Sequence, residues 1–198
     1  MICVVLLAGG ESRRFGGDKL GARLPDGRQL ALAAAEAVAA AGDRRLVVTR
    51  PDRAWLASAL AERGWDTVVT AAAERGMGAS LAAGIAAAAD CDGWLIGLAD
   101  MPLLEPTTAA AIAAALRAGA PAAAPCYGAR RGHPVGFSAQ LRSQLLALDG
   151  DTGARAILQR LSDRLVRVAV DDPGILVDID RPEDLAALTL AAPPGSPP

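Results

Sequence analysis

The stretch Leu7-Ala-Gly-Gly-Glu-Ser-Arg-Arg-Phe-Gly-Gly-Asp-Lys19 packs four glycines and three cations into thirteen residues. Glycine takes positive φ at no steric cost and lets backbone N–H groups crowd a ligand. Arg13, Arg14 and Lys19 set positive charge beside those donors. A triphosphate or another polyanion suits such a surface, so residues 7–19 read as a nucleotide-phosphate loop. It is not a Walker A motif. Gly10 and Gly16 stand one residue too far apart, and Leu20 follows the lysine where Ser or Thr is needed. The dinucleotide fingerprint G-x-G-x-x-G is missing as well.

Two acidic positions complement that loop. Asp100 ends the apolar run from Gly93 to Ala99, which places it at the rim of a sheet. There it either holds Mg²⁺ facing a phosphate or caps the turn before Pro102. Magnesium takes one or two protein carboxylates and completes its shell with phosphates and water. Asp178 and Asp180 lie two apart, on one side of an extended segment. Asp180 is the better ligand candidate. Glu183 and Asp184 follow Pro182 and suit the positive end of a helix dipole.

Positioning these groups requires a sheet with helices between its strands. Apolar runs at 2–8, 46–49, 67–70 and 94–98 read as strands, alternating with helices over 28–41, 52–63 and 78–89. Pro106 opens a further helix through Leu116. Strands at 122–125 and 134–137 flank a basic turn, and helices cover 139–147 and 152–161. Strands at 165–170 and 175–178 precede a last helix from Pro182 to about residue 190. This alternation predicts one three-layer α/β domain over residues 1–191 with a mostly parallel sheet, followed by a disordered proline-rich tail at 192–198. Ligands of such sheets bind at the carboxyl ends of the strands. The helix opening at Gly78 is a candidate to present its N-terminus to an anion.

Composition narrows the functional class. A chain of 198 residues with a net charge of −2 is no general binder of nucleic acid or anionic membrane. Cys3, Cys91 and Cys126 form no C-x-x-C pair, which fits a reducing compartment and, with His133 the single histidine, argues against zinc. No signal-peptide pattern opens the chain, and no apolar run reaches the roughly 18 residues of a membrane span. A cytoplasmic protein is expected.

Six motifs in order, LAGGESRRFGGDK at 7–19, GMGAS at 76–80, LADMPLL at 98–104, RGHPV at 131–135, GDTGAR at 150–155 and DIDRPEDL at 178–185, cover almost the entire chain. Together they resemble the MobA-like NTP transferases, and within that group the molybdenum cofactor nucleotidyltransferases. The resemblance implies a Rossmann-like nucleotidyltransferase fold and transfer of a nucleoside monophosphate from an NTP to an anionic acceptor, with release of pyrophosphate. By motif position, Leu7, Ala8, Gly9, Gly10, Arg14, Lys19 and Asp100 hold the nucleotide. Lys19, Arg14 and Asp100 are the implied catalytic groups, and Asp100 and Asp180 the implied Mg²⁺ ligands. Ser80, His133 and Arg155 are implied on the acceptor side, although a histidine on a turn also serves local hydrogen bonding. A molybdopterin-type acceptor and a receiving molybdoenzyme or its chaperone are the implied partners.

Base choice is signalled in two directions. GMGAS, RGHPV and GDTGAR resemble the cytidylyl-transferring branch, whereas Leu-Ala-Gly-Gly at 7–10 resembles the guanylyl-transferring one. CTP is favoured because more of the chain supports it. GTP is the alternative, and a noncatalytic nucleotide-binding accessory protein is the alternative of another class.

Overall fold

The structure is a computed structural model of the chain, and it describes residues 1–10, 12 and 14–191. Arg13 and the tail at 192–198 lie outside the described residues. Eight strands form one sheet: β1 (Ile2–Ala8), β2 (Arg44–Thr49), β3 (Asp66–Val69), β4 (Gly93–Leu98), β5 (Ala122–Tyr127), β6 (Arg130–Arg131), β7 (Val135–Ser138) and β8 (Leu165–Ala169). Their order is β3-β2-β1-β4-β7-β5-β6, with β8 also paired to β5. The pairs β1–β2, β1–β4, β2–β3 and β5–β8 are parallel; the short strands β6 and β7 supply the antiparallel pairs.

Strand alternation divides the core into two layers, as period-two side chains must. In β1, Ile2, Val4, Leu6 and Ala8 face one cluster, which contains α1 (Leu30–Ala39), α2 (Ala54–Ala61) and α4 (Pro106–Arg117). Cys3, Val5 and Leu7 face the other, built on α3 (Met77–Ala87), α5 (Arg142–Leu146) and α6 (Arg155–Leu161). A last helix, α7 (Pro182–Ala191), packs Leu185 and Leu188 against the first cluster. The result is the three-layer α/β fold with a mostly parallel sheet. No helix of the described residues is long and apolar enough to cross a membrane.

One expected strand does not form. Residues 175–178 are not in the sheet; Pro173–Leu176 is a single 3-10 turn, followed by an extended segment to Asp180. Backbone accounting shows why. The Ile175 carbonyl accepts from His133 N at 3.1 Å, and Ile179 N donates to the Asp100 carbonyl at 2.9 Å. These bonds, with Val177 N donating to the Gly174 carbonyl at 3.2 Å, tie the segment to loops and to its own turn instead of to a neighbouring strand. Gly174 is required here: a Cβ would collide with the Leu103 carbonyl. Helices expected over 139–147 and 152–161 are also shorter, starting as helix proper at Arg142 and Arg155.

Asp172 fastens this segment to the sheet. It is 2% exposed. Its carboxylate accepts from Glu105 N at 3.0 Å, Thr108 Oγ1 at 2.7 Å and Gly174 N at 2.9 Å, which caps α4 from a distant part of the chain. Asp172→Ala strands two buried donors and one half-buried donor and is expected to cost about 3 kcal/mol of stability. Urea unfolding measures it; a loss below about 0.5 kcal/mol would show that this cap does not hold the segment.

Candidate active site

A cleft of about 600 Å³ opens beyond the carboxyl ends of β1 and β4. That volume suits a nucleotide-sized ligand. Leu7, Gly9, Gly10, Ser12, Arg14 and Lys19 come to it from the first loop. Ala73 to Met77 and Ser80 arrive from the start of α3, Leu98 and Asp100 from the end of β4, and Asp151 and Asp180 from later loops. Of the residues expected to bind nucleotide, Ala8 alone does not line it. Its side chain is buried in the core, as its place on the alternating strand dictates.

The charged centre is a lysine held between two carboxylates. Lys19 Nζ donates to Asp100 Oδ2 at 2.9 Å and to Asp180 Oδ1 at 3.0 Å. These acids lie 81 and 161 residues away in sequence. Burial alone works against the Lys19 charge, yet the two carboxylates outweigh it and raise its pKa above the ordinary lysine value. The hydrogen bond from Lys19 holds the Asp180 carboxyl below its usual range, and Arg14, 3.3 Å away, adds to this. Asp184 also fixes Asp180 by accepting from the Asp180 and Arg181 amides at 2.9 and 2.8 Å, the helix-end role expected for it. Asp178 is exposed and does not line the cleft.

Residues read as an acceptor side separate in space. Ser80 lines the cleft beside the first loop: a Cβ on Gly9 would stand 2.7 Å from Ser80 Oγ and 3.0 Å from Ala73 Cβ. Ser80 Oγ itself donates to the Gly76 carbonyl at 2.9 Å. Gly9 therefore packs closely against Ser80 and Ala73. His133 and Arg155 do not line the cleft. Arg155 is exposed on the first turn of α6, and His133 is half-buried in the loop before β7.

The N-terminus of α3 is not open to a ligand either. The Gly150 carbonyl accepts from Gly78 N at 2.8 Å and Ala79 N at 3.4 Å. A Cβ on Gly78 would lie 2.8 Å from the Asp149 carbonyl, so only glycine allows this approach. The motifs GMGAS and GDTGAR are thus two halves of one contact. Its outer edge brings Asp151 to the cleft, a residue not singled out from sequence. Glu74, Arg75 and Met77 were likewise missed because their separation from Lys19 in sequence carries no signal.

Could the acidic pair hold a divalent cation? The two carboxylates already converge on one cation, the Lys19 ammonium, and offer the hard oxygen donors that Mg²⁺ or Mn²⁺ prefers. The residues fit. Among the described residues no group of three or more His, Cys, Asp or Glu could hold a metal, so phosphate and water oxygens would complete the shell.

Comparison with known proteins identifies the family. The MobA-like NTP transferase domain matches residues 4–165, and the chain belongs to that family of nucleotidyltransferases. Purine catabolism protein PucB of Bacillus subtilis (strain 168) is 34% identical over 192 residues, covering 91% of this chain and 92% of PucB. Nicotine blue oxidoreductase of Paenarthrobacter nicotinovorans is 33% identical over 195 residues, covering 93% and 94%. Among solved structures, Rv0371c of Mycobacterium tuberculosis H37Rv superposes with a TM-score of 0.83 at 28% identity, covering 96% of this chain and 97% of that one. Rv0371c has also been solved in complex with manganese (TM-score 0.78, 23% identity, covering 96% and 99%).

Burial pushes the His133 imidazole below its ordinary value of 6.5. Below that value the unfolded chain takes up a proton that the folded chain resists. The contribution to stability is therefore complete above 6.5 and lost as pH falls through the folded value. Unfolding between about pH 8 and 5 should show wild type losing more stability than His133→Gln. Parallel profiles would remove this role.

Proposed function

We propose that this protein transfers CMP from CTP to the phosphate of a molybdopterin-type acceptor, releasing pyrophosphate. One observation carries the reading: Lys19, at the end of a glycine-rich loop, meets Asp100 and Asp180 in a nucleotide-sized cleft. Membership of the nucleotidyltransferase family supports the reaction class. The ordered motifs support the acceptor, and GMGAS, RGHPV and GDTGAR support cytidylyl over guanylyl transfer. Gly9, in the Leu-Ala-Gly-Gly loop, is the feature that favours GTP instead.

An oxygen of the acceptor phosphate attacks the α-phosphorus of the NTP, a new P–O bond forms, and the bond to pyrophosphate breaks. The acceptor oxygen is already nucleophilic, so alignment and charge neutralisation are what the protein must supply. Among the described residues, two of the three Lys19 ammonium donors engage the carboxylates, and the third can meet a phosphate oxygen. Arg14 is 70% exposed at its side chain, within reach of a phosphate and able to bridge two of its oxygens.

Charge balance supports a divalent ion. Among the described cleft residues, Arg14, Lys19 and Arg75 face Glu74, Asp100, Asp151 and Asp180, an excess of one negative charge before any phosphate enters. Asp100 and Asp180 would hold Mg²⁺, which when bound neutralises the triphosphate and the charge developing on pyrophosphate. The manganese complex of Rv0371c lends support to a divalent metal here.

Pyrophosphate release with each of the four NTPs, Mg²⁺ and molybdopterin, with or without molybdenum, tests the reading. CTP is expected to lead. A preference for GTP would move the assignment to guanylyl transfer, and no release with any NTP would overturn transfer to this acceptor. Asp100→Ala should lower turnover about a hundredfold or more with little change in nucleotide affinity. Lys19→Ala should instead weaken triphosphate binding measured by calorimetry; an unchanged Kd would take Lys19 out of the phosphate site.

A further inference from the structure

Behind the first loop lies a buried guanidinium that the reaction outlined above does not use. Arg53 is 7% exposed. It ends the single turn Pro51–Arg53 at the carboxyl end of β2, the strand beside β1. Its Nη1 donates to the Ala8 carbonyl at 2.6 Å, and its Nη2 donates to the Gly10 carbonyl and, at 3.4 Å, to Ser12 Oγ. The adjacent acid does not compete, because Asp52 pairs with Arg50 at 3.0 Å.

The direction of these bonds matters more than their number. A trans peptide points its C=O and N–H to opposite sides. With the Ala8 carbonyl drawn to Arg53, the Gly9 N–H of the same peptide faces away from it. Gly9 lines the cleft, and among the described residues its N–H has no acceptor. A planar fork can hold two carbonyls at fixed spacing, which a lysine ammonium does not reproduce.

We propose that Arg53 is the positioning residue of the phosphate loop, turning the Gly9 amide toward the bound nucleotide by holding the Ala8 and Gly10 carbonyls on the opposite side. The inference rests on the reading of this cleft as a nucleotide site. It assigns Arg53 no contact with substrate. Its effect passes through backbone orientation, so it should act on all nucleotides alike and leave base choice untouched.

Three measurements on Arg53→Met and Arg53→Lys test it. Hydrogen exchange of the ligand-free protein reports loop order, calorimetry gives the Kd for each NTP with Mg²⁺, and thermal melting shows whether the fold survives. In folded Arg53→Met, exchange of the amides of residues 8–10 and 12 should quicken and every NTP should weaken by about tenfold or more, by a common factor. Arg53→Lys, which keeps the charge but not the fork, should fall between; it decides the matter if the methionine variant does not fold. A lowered melting temperature with wild-type exchange and Kd would mean a merely structural arginine and would overturn the proposal. Should the wild type bind no NTP, the nucleotide reading falls, while the exchange arm still decides whether Arg53 orders the loop.

Discussion

Two ionised carboxylates that meet in a half-buried cleft repel unless a cation stands between them, and in this chain the cation is Lys19. Its ammonium lies within 3.0 Å of Asp100 and Asp180. Asp100 arrives at the end of β4, which lies in the sheet next to β1. Asp180 arrives from outside the sheet, on a segment threaded past Leu103, His133 and Asp100 itself. Without the ammonium, the two carboxylates would repel each other with no cation between them. The ion triad thus joins the first, middle and last parts of the chain at one point.

Around that point, contacts are made by backbone more than by side chains. Gly78 lets the Gly150 carbonyl cap α3, and Gly174 lets the chain pass beneath Leu103. Both glycines are demanded by the atoms opposite them. Paired motifs far apart in sequence are therefore single physical objects, each half meaningless without the other. The same holds for Gly9 and Ser80, where the missing Cβ of one makes room for the hydroxyl of the other.

A division of labour follows from these placements. Arg53, fully within the protein, shapes the first loop from behind; Lys19 and Arg14 meet the cleft in front. Carboxylates outnumber cations among the described cleft residues, by four to three.

Much of this was legible in the residue order. Buried strands declared themselves as continuous apolar runs, and Lys19, Asp100 and Asp180 stood out by type and by place at element ends. Local patterns record local physics, and the first loop, the four leading strands and the acidic rim are local. Arg53 escaped notice because an arginine in a turn reads as solvated; only the fold reveals that the end of β2 lies under the loop after β1. Residues 175–178 look like a strand from hydrophobicity, yet the Ile175 carbonyl accepts from His133 N and Val177 N turns back to the Gly174 carbonyl. The same distance in sequence hid the exclusion of Arg155 and the cap on α3. Sequence alone determined which chemical groups exist and which ends of strands carry them. Tertiary structure decided which of them meet, because a hydrogen bond or close contact between residues a hundred apart leaves no periodicity to read.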